Sequence, residues 1–317
     1  MLELGEVYAS QGRLAEAEAL LREALSSSRR AVGEEHPTAL AALSDLGVTL
    51  HFQGKLAEAE KHYLDALSVR RKVLGAEHQE TLETGNNLAA VLYAQGRLAE
   101  AEPYLREALE GRRRALGAHH PETLDSLINL CPMLMALEKL EDAEAFCAEA
   151  VEVGRRIRPD HPKTIVSVNN LGKLRALQGR DAEAEPYYKE AVAAMRRTLG
   201  EEHPDTFVAI GNLGDLYTKQ GRLREAEALL TPAVGSARRV LPPGHVVTAL
   251  TLLHYGRFLT ATARFEEAER MLLEAHGVLQ QGVGASHRHT LRAVDSLAAL
   301  YEVWGKTQQA ARWRAKR

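Results

Sequence analysis

Apolar residues follow a helical pattern along this chain, and the pattern returns about every 42 residues. Ala59, Tyr63 and Ala66 are spaced at i, i+4 and i+7, which puts them on one face of a helix. In the helix before the next such face, Leu88 and Leu92 flank a small residue, Ala89, and a small residue recurs at the matching position of the other repeats. The pattern therefore predicts two helices in each repeat.

A turn signal, usually Gln-Gly-Arg or Gln-Gly-Lys, separates these two helices. Glycine can take the positive φ that ends a helix, so we expect a tight turn at this place. The position recurs eight times, at Gly12, Gly54, Gly96, Glu138, Gly179, Gly221, Ala263 and Gly305.

The small residue of the first helix also recurs in every repeat. A branch at Cβ here would hold two helix backbones apart, so the pattern predicts a close approach by a neighbouring helix. The series is Gly5, Gly47, Ala89, Cys131, Gly172, Gly214, Gly256 and Ala298.

A helix hairpin of this kind cannot bury its apolar face alone, and stacking it on the next hairpin gives a continuous core. We therefore predict one all-α solenoid over residues 1–317, although the length alone would suggest two domains. Met1 falls partway into a first helix and the last helix ends soon after Ala310, so we expect truncated end units and a fragment of a longer chain. The predicted units are approximately 1–33, 34–75, 76–117, 118–158, 159–200, 201–242, 243–284 and 285–317.

Two sets of residues carry a resemblance to a known family. Gly47 with Ala59 and Ala66, and their repeats, resemble the tetratricopeptide signature. The 42-residue period, the His-Pro of HPETL, HPKTI and HPDTF, and the Asn86-Asn87-Leu88 run resemble its kinesin-light-chain-like subtype. The resemblance implies a right-handed superhelical solenoid of antiparallel hairpins whose first helices line a concave groove. The richness in Ala and Arg indicates a bacterial chain.

The resemblance also implies a role for polar residues on the first helices, since asparagine there clamps the backbone of an extended peptide in this family. The alternative is that each Asn only bonds a neighbouring loop and holds adjacent hairpins in register. Charged residues in the same groove would favour an acidic peptide or a carboxylate. The groove candidates are Asn86, Asn87, Tyr93, Asn129, Asn169, Asn170, Lys173, Asn212, Asp215, Lys219 and Arg257.

Histidine recurs with the same period, but the spacing argues against a metal site. Zinc needs three or four ligands about 2.0–2.1 Å from one ion, whereas equivalent atoms of successive repeats lie a hairpin apart. We expect these histidines to shape the loop between repeats, with no metal and no cofactor bound. They are His36, His78, His120, His161, His203, His245 and His287.

Charge and motifs exclude further classes. Lys and Arg number 40 against 43 Asp and Glu, a net charge of −3, which argues against a nucleic-acid partner. Arginine runs such as Arg112-Arg113-Arg114 end the second helices, where cations suit the helix dipole and can pair with Glu in the same helix. No signal peptide, membrane span, phosphate-binding loop or catalytic motif is recognisable, so we expect a cytoplasmic chain with no membrane partner and no catalysis.

These observations favour a protein-interaction scaffold that holds a protein or peptide segment in its groove. The alternative is the regulatory C-terminal part of a larger bacterial signalling protein, with a Ser/Thr kinase, a caspase-like protease or a nucleotide-switched ATPase joined before Met1. Self-association through the ends of the solenoid is a third option.

Overall fold

The computed structural model describes residues Met1–Arg317 and contains sixteen α-helices and no strand. The all-α class and the repeating pair of helices predicted from the sequence are confirmed. The helices are α1 Leu2–Ser10, α2 Leu14–Val32, α3 Pro37–Phe52, α4 Leu56–Val73, α5 Gln79–Ala94, α6 Leu98–Leu116, α7 Pro121–Ala136, α8 Leu140–Ile157, α9 Pro162–Leu177, α10 Asp181–Leu199, α11 Pro204–Lys219, α12 Leu223–Val240, α13 Val246–Ala261, α14 Phe265–Val283, α15 Arg288–Val303 and α16 Thr307–Arg314.

The helices form two compact units. Unit 1 is Met1–Lys139 and holds α1 to α7, and unit 2 is Leu140–Arg317 and holds α8 to α16. Within each unit the helices pack in chain order, each against the next one along the chain. Odd-numbered helices are the first helices of the repeat and even-numbered helices are the second. A single solenoid over the whole chain stays a prediction.

The predicted turns have the backbone geometry that the glycine pattern requires. Gly96 and Gly221 have φ values of 79° and 72°. Glu138 and Ala263 replace glycine at the same place and still adopt φ values of 59° and 57°, in the left-handed region where most side chains are strained. The next N–H then bonds a carbonyl five residues back, as from Arg222 to Tyr217 at 2.9 Å, in the manner of a Schellman motif.

The small residue of each first helix allows close contact with the second helix. A Cβ added at Gly214 would lie 2.6 Å from Leu230 side-chain atoms, and one at Gly47 would lie 2.8 Å from the Tyr63 ring. Leu230 and Tyr63 are fully or almost fully buried, together with the alanines that flank them on the second helix. The seam predicted from the sequence is therefore the core of each hairpin.

The recurring histidines cap helices. Each precedes a first helix, and its Nδ1 accepts a hydrogen bond from the backbone N–H two residues later at 3.1–3.3 Å. Proline occupies the first helical position after four of them, where its missing N–H is harmless. The threonine of the same motif bonds back to the loop, as from Thr206 Oγ1 to the Gly200 carbonyl at 2.8 Å. The His-Pro motif thus fixes the loop between repeats.

The arginine runs pair both within their own helix, as expected, and between hairpins. Arg113 pairs with Glu110 of the same helix α6 at 2.6 Å. Arg71 bonds Glu107 of the next repeat at 2.6 Å. The basic residue of the turn also pairs with the preceding repeat, as in Lys55 with Glu18 at 2.7 Å. Such exposed pairs contribute little individually to stability.

No helix is both long enough and apolar enough to cross a membrane.

Candidate functional site

The asparagines of the first helices fall into two groups. Asn129 on α7 donates its side-chain amide to Asn86 Oδ1 on α5 at 3.1 Å. Asn212 on α11 donates in the same way to Asn169 Oδ1 on α9 at 3.2 Å. These four residues therefore connect first helices of adjacent hairpins, as the register alternative expects, although the acceptor is a side chain and not a loop carbonyl.

Asn87 and Asn170 form the second group. They stand at the repeat positions equivalent to Asn129 and Asn212, half-buried on α5 and α9. Neither side-chain amide has a hydrogen-bond partner. Each amide therefore keeps both its donor and its acceptor available. Tyr93 lies half-buried in the last turn of α5.

His254 ends the asparagine series in unit 2. It occupies the repeat position that follows Asn212, and it is 5% exposed. Its ring packs on Gly211 of α11, where an added Cβ would lie 2.6 Å from Cδ2. Because Gly211 stands where Asn169 stands in the preceding repeat, no side-chain acceptor is available and the imidazole fills the space. His254 Nδ1 lies 3.7 Å from Asp215 Oδ1.

Unit 2 carries a cleft of about 310 Å³ between the first helices α9, α11, α13 and α15. We call it the basic cleft. It brings together five of the residues predicted for the groove and adds three others that the sequence analysis did not single out. Its polar lining consists of Lys173, Asn212, Asp215, Lys219 and Arg257, with Tyr188, Arg288 and Arg292 as the additions.

The single carboxylate of the basic cleft, Asp215, is already paired with a cation of the chain. Asp215 Oδ2 accepts from Arg257 Nη1 at 2.8 Å. Burial raises the pKa of Asp215, but His254, Arg257 and Arg292 outweigh burial and lower it to about 2. Asp215 is therefore ionised, and it neutralises one of the five cations of the cleft.

The ammonium group of Lys173 has a strongly shifted pKa. Burial lowers the pKa of its ammonium to about 7, and the guanidinium groups of Arg288 and Arg292 act in the same direction. A lysine near this value exchanges its proton around neutral pH, so its charge responds to any anion placed beside it.

Unit 1 carries a cleft of the opposite charge, of about 480 Å³, which we call the acidic cleft. Its charged lining is Glu6, Asp45, Arg70, Glu80 and Glu83, and Asn87 also borders it. Burial and the neighbouring Glu6 raise the pKa of Asp45 to about 7. Arg70, only 6% exposed, bonds Ser44 and Thr84 and pairs with Glu80 at 3.1 Å.

Two of the residues missed by the sequence analysis had a signal in the repeat. Arg292 stands where Val166, Val208 and Leu250 stand in the preceding repeats, and Arg288 stands where four earlier repeats have proline. Both departures from the repeat place an extra cation on α15. Tyr188 had no such signal, because its position belongs to the buried face of the second helix.

Comparison with known proteins identifies the repeat. Tetratricopeptide repeat profiles match residues 1–72, 133–197 and 167–238, and a second profile of the same description matches residues 81–122. No curated protein matches the chain in sequence.

Solved structures of similar fold include three that represent different relatives. A putative kinesin light chain of Podosopora anserina with nearly identical repeats is 23% identical over 64% of this chain and 97% of that one, with a TM-score of 0.53. A Rap protein complexed with competence and sporulation factor is 18% identical over 94% and 78%, with a TM-score of 0.69. The apo quorum sensor NprR of B. thuringiensis is 14% identical over 99% and 85%, with a TM-score of 0.71.

The close packing at the glycine seam is what the resemblance of the sequence to tetratricopeptide repeats predicts, and the family profiles match more than half of the residues. The chain belongs to the tetratricopeptide repeat family, with repeats like those of kinesin light chains.

Proposed function

We propose that this chain is a non-catalytic interaction scaffold that holds a segment of a partner protein on the face formed by its first helices. The observation that carries the proposal is the division of the asparagines. The side-chain amides of Asn129 and Asn212 donate hydrogen bonds to the preceding hairpin, whereas those of Asn87 and Asn170 have no partner in the chain. Both amides remain accessible to water, so a ligand can replace that water with its own hydrogen bonds.

The chemistry of that face supports the proposal. An Asn amide can donate to a peptide carbonyl and accept from a peptide N–H, so it recognises an extended backbone whatever the side chains are. Asn87 borders the acidic cleft of unit 1, and Asn170 lies one helical turn before Lys173 of the basic cleft on α9, so the charges of these clefts would select side chains. The similar Rap protein is complexed with competence and sporulation factor, which is in keeping with a factor held by this fold.

The proposal is tested by selecting segments from a random peptide display library on the full chain and measuring their affinity by fluorescence anisotropy. We expect Asn87→Ala with Asn170→Ala to weaken the selected segments about tenfold, as the loss of hydrogen bonds to each amide requires. The matched control is Lys61→Ala with Arg224→Ala, two exposed residues on the second helices α4 and α12.

The control pair should leave affinity unchanged. Equal loss in both pairs, or selected segments that bind the Asn87→Ala, Asn170→Ala variant as well as the wild type, would contradict binding through the free amides. Circular dichroism of each variant shows whether helicity is retained.

A further inference from the structure

The basic cleft of unit 2 has more positive charge than the chain itself neutralises. Five cationic side chains and one carboxylate line it. Arg257 is paired with Asp215, and Lys219 is paired with Asp181 at 2.8 Å. These two pairs account for the exposed cations at the rim.

Two of the inner cations remain unpaired. Lys173 on α9 and Arg292 on α15 are half-buried, and neither makes an ion pair or a hydrogen bond. Charges removed from water without a partner destabilise the folded chain, and like charges facing each other add to that cost. Arg288 contributes a further positive charge to the same lining. The arrangement is unfavourable for the free chain and becomes favourable once an anion lies between α9 and α15.

A neutral donor completes the lining. Tyr188 of α10 is 3% exposed, and its hydroxyl has no hydrogen-bond partner. Its ring lies against Gly172, where an added Cβ would be 3.0 Å from Cδ1, so the missing side chain lets this second-helix residue reach the cleft. Burial raises the pKa of the Tyr188 phenol, which keeps the hydroxyl protonated as a donor.

We propose that the basic cleft binds a phosphate monoester, with Lys173, Arg292 and Tyr188 as its contacts. A single carboxylate brings one negative charge, whereas a phosphate monoester brings nearly two at neutral pH and three strong acceptor oxygens. Arginine pairs with phosphate through two parallel N–H groups, and lysine adds a point charge. The phosphate can belong to a phosphorylated side chain of the partner segment or to a free phosphorylated small molecule.

This inference deepens the proposed function, because the cleft lies among the first helices, but it does not depend on the free asparagines. The test is isothermal titration calorimetry of the full chain at constant ionic strength with phenyl phosphate, with succinate, and with a phosphoserine peptide and its unphosphorylated form. A failure here leaves the display selection of unphosphorylated segments unaffected, so the two proposals fail separately.

We expect saturable binding of phenyl phosphate and at most weak binding of succinate. Lys173→Gln and Arg292→Gln should each weaken phenyl phosphate about tenfold, and Tyr188→Phe about threefold, in line with charged and neutral hydrogen bonds. Arg224→Gln, which removes an exposed cation of α12 in the same unit, is the control and should change nothing. Tyr188→Phe keeps the buried ring, so its effect is independent of misfolding.

The phosphoserine peptide distinguishes the source. Tighter binding of this peptide than of both phenyl phosphate and the unphosphorylated peptide assigns the cleft to a partner segment, and equal binding of the two phosphates assigns it to a small molecule. No saturable binding of either phosphate, succinate binding as tight as phenyl phosphate, or equal losses with Arg224→Gln would overturn the proposal.

Discussion

Asn212 of α11 donates its side-chain amide to Asn169 of α9, one hairpin earlier, at 3.2 Å. Asn169 is 6% exposed, so this bond lies inside the hairpin stack of unit 2. The same relation holds between Asn129 and Asn86 in unit 1, so each unit contains one such pair. Asparagine on these first helices therefore has a structural role at some positions, and only the remaining positions are available to a ligand.

Removing the donor of this bond should destabilise the chain. Asn212→Ala leaves the buried Asn169 carbonyl oxygen without its partner, which costs roughly 1–3 kcal/mol. Asn170→Ala removes an amide that has no partner and should change stability by less than about 0.5 kcal/mol. Urea denaturation followed by circular dichroism measures both. Similar midpoints for the two variants would show that the Asn212–Asn169 bond adds nothing to stability.

The glycine seam predicts a position-dependent effect of adding one methyl group. Gly214→Ala would bring Cβ to 2.6 Å from Leu230, and the overpacking should cost about 1–3 kcal/mol. Gly235→Ala is the control: it lies in the partner helix α12 with no atom within 4 Å of the added Cβ, so better helix propensity should stabilise the chain by up to about 1 kcal/mol. Thermal denaturation reports both signs. A stabilised Gly214→Ala variant would contradict the close packing of α11 on α12.

A glycine placed at the exceptional turn should stabilise the chain. Ala263 adopts a φ of 57° where six of the eight repeats have glycine, and left-handed backbone costs an ordinary residue about 1–2 kcal/mol. Ala263→Gly should therefore raise the melting temperature. The expected gain in the free energy of unfolding is about 1 kcal/mol, because the greater freedom of glycine in the unfolded chain offsets part of the relieved strain. Gly221→Ala, at the equivalent turn, should lower the free energy of unfolding by a similar amount. Equal and small effects of both substitutions would mean that neither turn strains its backbone.

Most of the architecture could be predicted from the sequence because it depends on small residues at fixed intervals. The turn at Ala263 and the seam at Gly214 were predicted correctly, since the repeat supplies several copies of each signal. The histidines were placed in the loop between repeats, but their capping depends on the direction of Nδ1, which periodicity does not contain.

The site was less predictable for a physical reason. Whether Asn129 bonds Asn86 or stays free depends on distances between helices that belong to different repeats. Tyr188 reaches the basic cleft only because Gly172 lacks a side chain, a relation between two helices that a single helical pattern does not reveal. Sequence reasoning therefore named five of the residues that line the basic cleft, but not which side chains remain unpaired.

The depressed pKa of Lys173 makes a prediction about pH. Burial, followed by Arg288 and Arg292, lowers its pKa to about 7, while Asp215 is held by Arg257 and Tyr188 is neutral. Below this pH the ammonium is charged in both the folded and the unfolded chain, so the folded chain bears the whole free-energy cost of holding that charge in the cleft. Between about pH 7 and about pH 10.4 the unfolded chain binds more protons, so the contribution of Lys173 to stability improves as pH rises.

Lys173→Met should therefore raise the urea midpoint at about pH 6, and the gain should shrink at about pH 9.5. Lys61→Met, at an exposed position of α4, is the control and should show no such pH-dependent gain. A Lys173→Met variant that is less stable than wild type at about pH 6 would show that the ammonium is satisfied within the free chain.

Hydrogen exchange measured by mass spectrometry tests the central claim most directly, because it locates the bound segment without any substitution. The full chain is compared with and without a display-selected segment, at exchange times that report local opening. Binding on the first-helix face predicts protection in α5 and α9, the helices that carry Asn87 and Asn170, with little change in α4 and α10. Protection confined to the second helices α4, α6, α10 and α12 would contradict it.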